Sequence, residues 1–324
     1  MADAVFDFLN RHSSLVITTH ENADPDGLGA ELVFSQLAKS MGKKVRIVNS
    51  DAISEKFRFM DPENAIESWA NFEKALDRQS ALVIVDTADE YNIGELRDLI
   101  PYAPEVFVID HHEPNKFNNL SGYIDPTASS ACELAVELAM KAGISLTPAN
   151  ARAAFAGIAY DSGFFAYSKT TLRTFKTAGA LVEAGAVPYD VYKEFYQKSN
   201  LGALLLEKSV LGSLEIKDQG RVAVQVLRKE FLESCHATMD DSDGFINTPL
   251  KCKDVQVSVL VKENKEGNVK CSLRSKGGVN VSRIAQSMGG GGHITAAGFK
   301  SSRNLDETLY VILKKISEEI NAVK

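Results

Sequence analysis

The chain is poor in the features that usually assign a protein at sight, and each absence excludes something. Its four cysteines, Cys132, Cys235, Cys252 and Cys271, include no C-x-x-C pair. That argues against a disulfide framework or a zinc ribbon and suits reduced thiols in a cytoplasmic setting. No apolar run reaches the roughly 18 residues of a membrane span. The start, "MADAVFDFLNRH", lacks the basic and long apolar stretches of a secretory signal. Surplus positive charge is missing as well. A net charge of -7 argues against a protein that coats long duplexes. Small phosphorylated ligands stay open, because bound metal adds positive charge that a residue count omits. There is no internal repeat and no biased tract.

What remains is an ordinary globular composition over 324 residues, 44% hydrophobic and 24% charged, enough for two domains with separate cores. In the first half, "SLVITTH" (14–20), "KVRIVNS" (44–50), "ALVIVDTAD" (81–89) and "EVFVIDHH" (105–112) read as strands. Their near-continuous Val and Ile suit strands buried on both faces of a parallel sheet. Helical stretches lie between and after them, at 27–43, at 129–143 with Ser129 or Ser130 as cap, and on to about residue 195. Strand and helix in alternation predict an α/β doubly wound sheet. Residues 199–220 carry no residue suited to catalysis and read as a connection. Beyond them, 221–228, 254–263 and 268–276 alternate like mixed or antiparallel strands. A final helix over 304–323 starts at Asn304 and Glu307 and carries the apolar stripe Leu305, Leu309, Ile312, Ile316 and Ile320, the pattern of a core-facing helix. The expectation is a smaller C-terminal α/β domain beside the first.

In open α/β sheets, ligands bind beyond the carboxyl ends of the strands. Here the expected strands end in His20 followed by Asp24 and Asp26, in Asp86, and in Asp110-His111-His112. Asp161 follows another apolar run in "AGIAYDSGFFAYS". One acidic strand end is an ordinary turn or cap; this many together are not. Five aspartates at one sheet edge would repel and shift their pKa values unless positive charge sat among them. Metal is the economical account. Carboxylate and imidazole without thiolate suit Mn²⁺, Fe²⁺ or Zn²⁺, and a carboxylate-rich set leans toward Mn²⁺. Six ligands exceed the needs of one ion with an open position and suit two ions sharing a carboxylate. These residues alone do not choose between His111 and His112 as the ligand.

The blocks "THENADPDGLGAE", "VIVDTAD", "VIDHHEPN" and "GIAYDSG", in this order, resemble the four N-terminal motifs of the DHH phosphoesterases. "SLRSKGGVNVSRIAQSMGGGGHITAAGF" resembles the glycine-rich motif of the DHH-associated domain, in the oligoribonuclease and pAp-phosphatase branch. The resemblance covers nearly the whole chain. It implies a catalytic DHH domain over 1–198, a linker over 199–212 and a substrate-binding domain over 213–324 across a cleft. His20, Asp24 and Asp86 would hold one divalent ion, and Asp26, Asp86, His111 and Asp161 the other, with Asp86 bridging. Mn²⁺ is expected, with Fe²⁺, Co²⁺ or Mg²⁺ as alternatives. His112 would face the scissile phosphate and Asp110 would support the cluster; with Asp86, these are the expected catalytic residues. Ser130 is expected among the substrate contacts. Departures from the pattern are Ala23 where proline is usual, Ala131-Cys132 where a hydroxyl is common, and the missing arginine in "GFFAYS", which bears on substrate preference.

"MGGGGH" (288–293) has no G-x-G-x-x-G spacing and follows no strand, so it is not a dinucleotide fingerprint. Gly290, Gly291 and Gly292 allow close backbone approach to a ligand, with N–H groups for phosphate. Arg274 and His293 suit a terminal phosphate and a stacked base. The plainer alternative is a flexible hairpin. "MDDSDG" (239–244) fails as a calcium loop, since Met239 and Leu250 stand where Asp and Glu are required. His12 and His236 read as structural or exposed. Lys169 and Arg173 in "SKTTLR" start a helix or sit near a phosphate. The expected substrates are short single-stranded RNA or DNA or small nucleotides, cut to nucleoside monophosphates, with no membrane and no long duplex. An exposed apolar helix face would suit a homodimer. The alternatives are a cyclic-dinucleotide phosphodiesterase, a silent nucleotide-binding sensor and, disfavoured by the glycine block, a pyrophosphatase.

Overall fold

Four runs of apolar residues in the first part of the chain become parallel strands of one sheet, joined by two three-residue strands. The computed structural model describes residues 2–72, 80–113, 120, 122–264, 266–292 and 294–322. It divides into two units, Met1–Gln197 and Lys198–Lys324. In the first, α1 (Ala2–Arg11) leads to β1 (Ser14–Thr18), α2 (Pro25–Ser40), β2 (Lys44–Asn49), β3 (Ile66–Ser68), β4 (Ser80–Val85), β5 (Val106–Asp110) and β6 (Gly122–Ile124). Helices α3 (Ala131–Lys141), α4 (Pro148–Asp161), α5 (Leu172–Glu183) and α6 (Pro188–Tyr196) follow. The strand order is β3-β2-β1-β4-β5-β6, with every neighbour parallel. Successive side chains point to opposite faces. Leu15, Ile17, Val83, Val85 and Ile109 therefore join one core with the residues of α2, α3 and α4. Val16, Val48, Leu82, Ile84 and Val108 join a second with Ile93, Leu96 and Leu99. Both faces are covered, as the Val/Ile runs require.

This order reverses direction between β1 and β4, and ligands of such sheets bind at that reversal, beyond the strands' carboxyl ends. Thr19, fully buried, closes the gap there: its hydroxyl donates to Val85 O at 3.0 Å. The two strand ends are thus pinned one residue before His20 and Asp86. Helix α2 starts at once after β1 because Asp24 caps it. The Asp24 carboxylate accepts from Asp26 N at 2.8 Å and Gly27 N at 3.3 Å, and Pro25 takes the first helical position.

The second unit contains α7 (Leu201–Gly212), β7 (Glu215–Lys217), β8 (Val222–Leu227), α8 (Lys229–Ser234), β9 (Val257–Glu263), β10 (Val269–Ser275), α9 (Val281–Gln286), β11 (Gly291–Gly292), β12 (Ala296–Ser301) and α10 (Leu305–Ala322). Its sheet, β11-β12-β10-β9-β8-β7, is mixed. β8 and β9 are parallel and the other neighbours antiparallel. Asn304 caps α10 by accepting from Glu307 N at 2.9 Å, and Leu305, Ile312, Ile316 and Ile320 are buried in this unit's core. The stretch 199–212, expected as a linker, is instead mostly helical. Asn200 caps α7, and Leu206 and Val210 are buried with Leu227, Leu232 and Leu260 of the second unit.

Candidate metal centre

Four strand and helix ends bring the expected ligands together. His20 and Asp24 flank the turn after β1, Asp86 ends β4, His111 and His112 follow β5, and Asp161 ends α4. His20 Nε2 lies 3.5 Å from Asp86 Oδ2 and 3.9 Å from Asp24 Oδ1. His111 Nε2 lies 3.4 Å from Asp86 Oδ1, 3.6 Å from Asp26 Oδ2 and 3.3 Å from Asp161 Oδ2. Three groups with metal-ligand spacing result, His20–Asp24–Asp86, Asp26–His111–Asp161 and Asp86–His111–His112, and Asp86 lies 3.4 Å from the His111 that the last two share. His111 points its Nε2 into the carboxylates of Asp26, Asp86 and Asp161. His112 turns its Nδ1 to Asp110 Oδ1, 2.8 Å away, and lies 3.8 Å from Asp86.

Three details fit divalent ions. His20 Nδ1 donates to Glu21 O at 2.8 Å, so the neutral ring keeps its lone pair on Nε2, the atom that faces the carboxylates. Asp86 Oδ1 is buried with no hydrogen-bond partner, an orphan acceptor in the middle of the cluster. Asp86 itself holds a left-handed φ of 61°, a strained conformation that recurs at functional sites.

Asp26 is positioned by a contact that spans more than a hundred residues. Its two carboxylate oxygens accept from Ala131 N at 2.6 Å and Cys132 N at 2.8 Å, the first amides of α3. A helix N-terminus thereby supplies partial positive charge to a carboxylate that is 1% exposed. The start of α3 is secured in turn. Ser130 caps it by accepting from Glu133 N at 3.0 Å, and the fully buried Glu133 takes the amide of Ser129 at 2.7 Å together with the Ser129 hydroxyl. Arg173 balances that buried charge. It grips Glu137 with two bonds of 2.7 and 2.6 Å, reaches Asp125 at 2.7 Å and sits 3.4 Å from Glu133. Removing one partner of a buried pair is strongly destabilising. Arg173→Met is therefore expected to lower stability by about 3 kcal/mol. Adding Glu133→Gln, which deletes the stranded charge, should recover part of it. Urea unfolding of the single and double variants checks this; no recovery in the double variant would refute the pairing.

The charges interlock. Burial opposes charging of His20, but the hydrogen bond and charge of Asp86, with the charge of Asp24, push its pKa up to about 10. Burial likewise opposes charging of His111, and Asp86, Asp26 and Asp161 together push it up to about 10. Burial and the negative charge of Asp86 raise Asp24 to about 6 and lift Asp26 well above the carboxylate range. Burial raises Asp161 too. Asp86 is the exception: for all its burial, the facing imidazoles of His111 and His20 hold it well below the usual range. Protons on two imidazoles stand where cations would otherwise balance the aspartates.

Residues 14–158 match the DHH family, N-terminal domain, and residues 219–322 match the DHHA1 domain. The chain is a DHH-family protein. It is similar to the probable bifunctional oligoribonuclease and PAP phosphatase NrnA of Streptococcus mutans, 28% identical over 95% of this chain and 96% of that one. It is also similar to the bifunctional oligoribonuclease and PAP phosphatase NrnA of Thermus thermophilus, 28% identical over 94% of this chain and 90% of that one. Among solved structures, an exopolyphosphatase-related protein from Bacteroides fragilis superposes with a TM-score of 0.91 at 24% identity, covering 99% of this chain and 97% of that one. That likeness shows a shared fold.

The DHH motif residues thus meet in one place, and each expected substrate contact has its own local partners. Ser130 is fully buried and its hydroxyl caps α3. Arg173, weighed as a phosphate neighbour, is committed to three carboxylates. Lys169 does reach the centre, donating to His111 O at 3.2 Å. In the DHHA1 domain, Arg274 lies on β10 opposite Ser258 and Ala296. Gly290 serves close packing, since a Cβ there would collide with Gly298 O, and its amide is committed to Ala285 O at 2.9 Å. Gly291 and Gly292 pair with β12. His293 lies outside the described residues. Sequence reasoning missed the amides of Ala131 and Cys132, which no side-chain pattern announces.

Proposed function

We propose that the chain is a metal-dependent phosphoesterase that releases nucleoside monophosphates from short oligoribonucleotides, from linear dinucleotides such as pApA and pGpG, and from pAp. The observation that carries this is Asp86, a strained, ionised carboxylate placed between His20 on one side and His111 on the other. The names of the two NrnA relatives support the substrate class. His20, Asp24 and Asp86 would hold one divalent ion and Asp26, Asp86, His111 and Asp161 the other, with Mn²⁺ favoured by the carboxylate-rich set. Such a pair supplies an activated water at neutral pH and offsets the phosphate's charge.

The chain's own residues do the rest. The first amides of α3 orient Asp26, and Glu21 O fixes the tautomer of His20. His112 is the more exposed histidine of the pair, 41% against 4% for His111. Burial opposes its charge, but the hydrogen bond to Asp110 raises its pKa, and its ring would offer a phosphate oxygen a hydrogen bond. Arg274, in the DHHA1 domain, serves as a further phosphate contact. Among the described residues no helix is long and apolar enough to cross a membrane. A reducing cytoplasm suits the four free cysteines.

The test is hydrolysis of a panel with Mn²⁺: pAp, pApA, pGpG, a cyclic dinucleotide, a five-residue RNA and pyrophosphate. Mononucleotides released from the linear substrates and abolished by EDTA are the expected result. Turnover of pyrophosphate alone, or tight nucleotide binding without turnover, would replace the proposal with a pyrophosphatase or a sensor.

A further inference from the structure

Residues 162–169 leave the metal centre and return to it. The preceding Asp161 lies 3.3 Å from His111 Nε2, and the last residue, Lys169, donates to His111 O at 3.2 Å. Between these anchors Gly163, Phe164 and Phe165 take left-handed φ values of 58°, 52° and 66° in succession. Glycine accepts this freely; a phenylalanine does so only when its surroundings force it. The force comes from Ser162, which is fully buried. Its hydroxyl accepts from Phe165 N at 3.0 Å, and its carbonyl accepts from Ala166 N at 3.0 Å and Tyr167 N at 2.9 Å.

The turn presents aromatic rings toward solvent beside the centre. Phe164 sits 4.8 Å from the Tyr196 ring and 6.1 Å from that of Tyr192, and the two tyrosines are 5.0 Å apart. Tyr167 folds back over Gly163. Tyr167, Tyr196 and Tyr192 remain 59%, 56% and 42% exposed. A core would bury these rings and a solvated turn would not need them. Left-handed backbone at Phe164 and Phe165, in a turn whose two ends reach His111, sets Tyr167 and the α6 rings packed on Phe164 beside the site.

We propose that Tyr167, Tyr192 and Tyr196, braced by Phe164, form a stacking platform for a nucleobase of the substrate whose phosphate lies in the metal centre. The proposal rests on the phosphoesterase reading. A base is the occupant that this surface suits, because aromatic faces grip any base without reading its edge, and the adjacent centre takes the phosphate bound to it.

Steady-state kinetics on pApA and on its two abasic analogues test this with Tyr196→Ala, Tyr167→Ala and the two corresponding Phe variants. For pApA the Ala variants are expected to raise KM about tenfold with kcat changed less than about twofold, while the Phe variants stay near wild type. On one abasic analogue, wild type and Ala variants should be alike. An equal loss on both abasic analogues would overturn the platform. So would an unchanged KM with a shift in mass by light scattering, which would make the patch a contact between two copies. Should the wild-type protein cleave none of these, the phosphoesterase reading fails separately. Quenching of tyrosine fluorescence by pApA in Mn²⁺ then decides the platform: weaker binding in Tyr196→Ala upholds it and unchanged binding overturns it.

Discussion

Replacing Asp86 by asparagine is expected to lower kcat/KM on pApA by at least about a thousand-fold, since loss of a single well-placed stabilising group already costs about 10²–10³-fold. It should also remove tight Mn²⁺ binding at both positions, because the same carboxylate faces His20 at 3.5 Å and His111 at 3.4 Å. Asparagine is the right substitution because Asp86 has φ 61°, a region that Asn tolerates and Ala does not. A loss in the Asn variant therefore reports on charge and not on a collapsed turn. Asp24→Asn gives the graded comparison. Asn caps a helix as well as Asp does, so α2 keeps its start while the His20 group loses a ligand. Calorimetric titration should then show two bound ions in the wild type, one in Asp24→Asn and none of comparable affinity in Asp86→Asn. An Asp86→Asn enzyme within tenfold of wild type would refute the shared-carboxylate assignment.

The sequence disclosed the parts of this site that follow from local pattern. β1, β2, β4 and β5 are legible because burial makes them Val/Ile runs, and the ends of β1, β4 and β5 lead directly into the expected ligands. β3 and β6, three residues each, are too short for any period to show. α7 is hidden for another reason. Gly202 reads as a helix breaker, yet it sits in the first turn because a Cβ there would fall 2.6 Å from Cys235 O, so the glycine marks close packing. The support of Asp26 was illegible in principle. Backbone amides have no letter code, and the contact joins Asp26 to residues 131 and 132 through the tertiary fold alone. The different orientations of His111 and His112 are a similar case, since they depend on which ring meets Asp110 after β5 has ended.

The protons that occupy the centre without metal predict how the protein responds to pH. His20 and His111 have pKa values near 10 in the folded state against 6.5 unfolded. Between those values the folded chain holds more protons than the unfolded one, so stability falls as pH rises. The raised Asp24, at about 6, acts the same way at lower pH, while the depressed Asp86 is ionised in both states above about pH 6 and leaves the slope alone. Metal-free protein should therefore lose melting temperature steadily from about pH 6.5 to 9.5. Divalent ions need neutral imidazoles, so they compete with these protons and bind more tightly as pH rises. The Mn²⁺-induced gain in melting temperature should grow across the same range. At about pH 7.5, binding should release at least the two imidazole protons per chain, read from calorimetry in buffers of different ionisation enthalpy. A metal-free melting temperature that rises over that range, or metal binding that releases no protons, would show that His20 and His111 do not carry the cluster's charge.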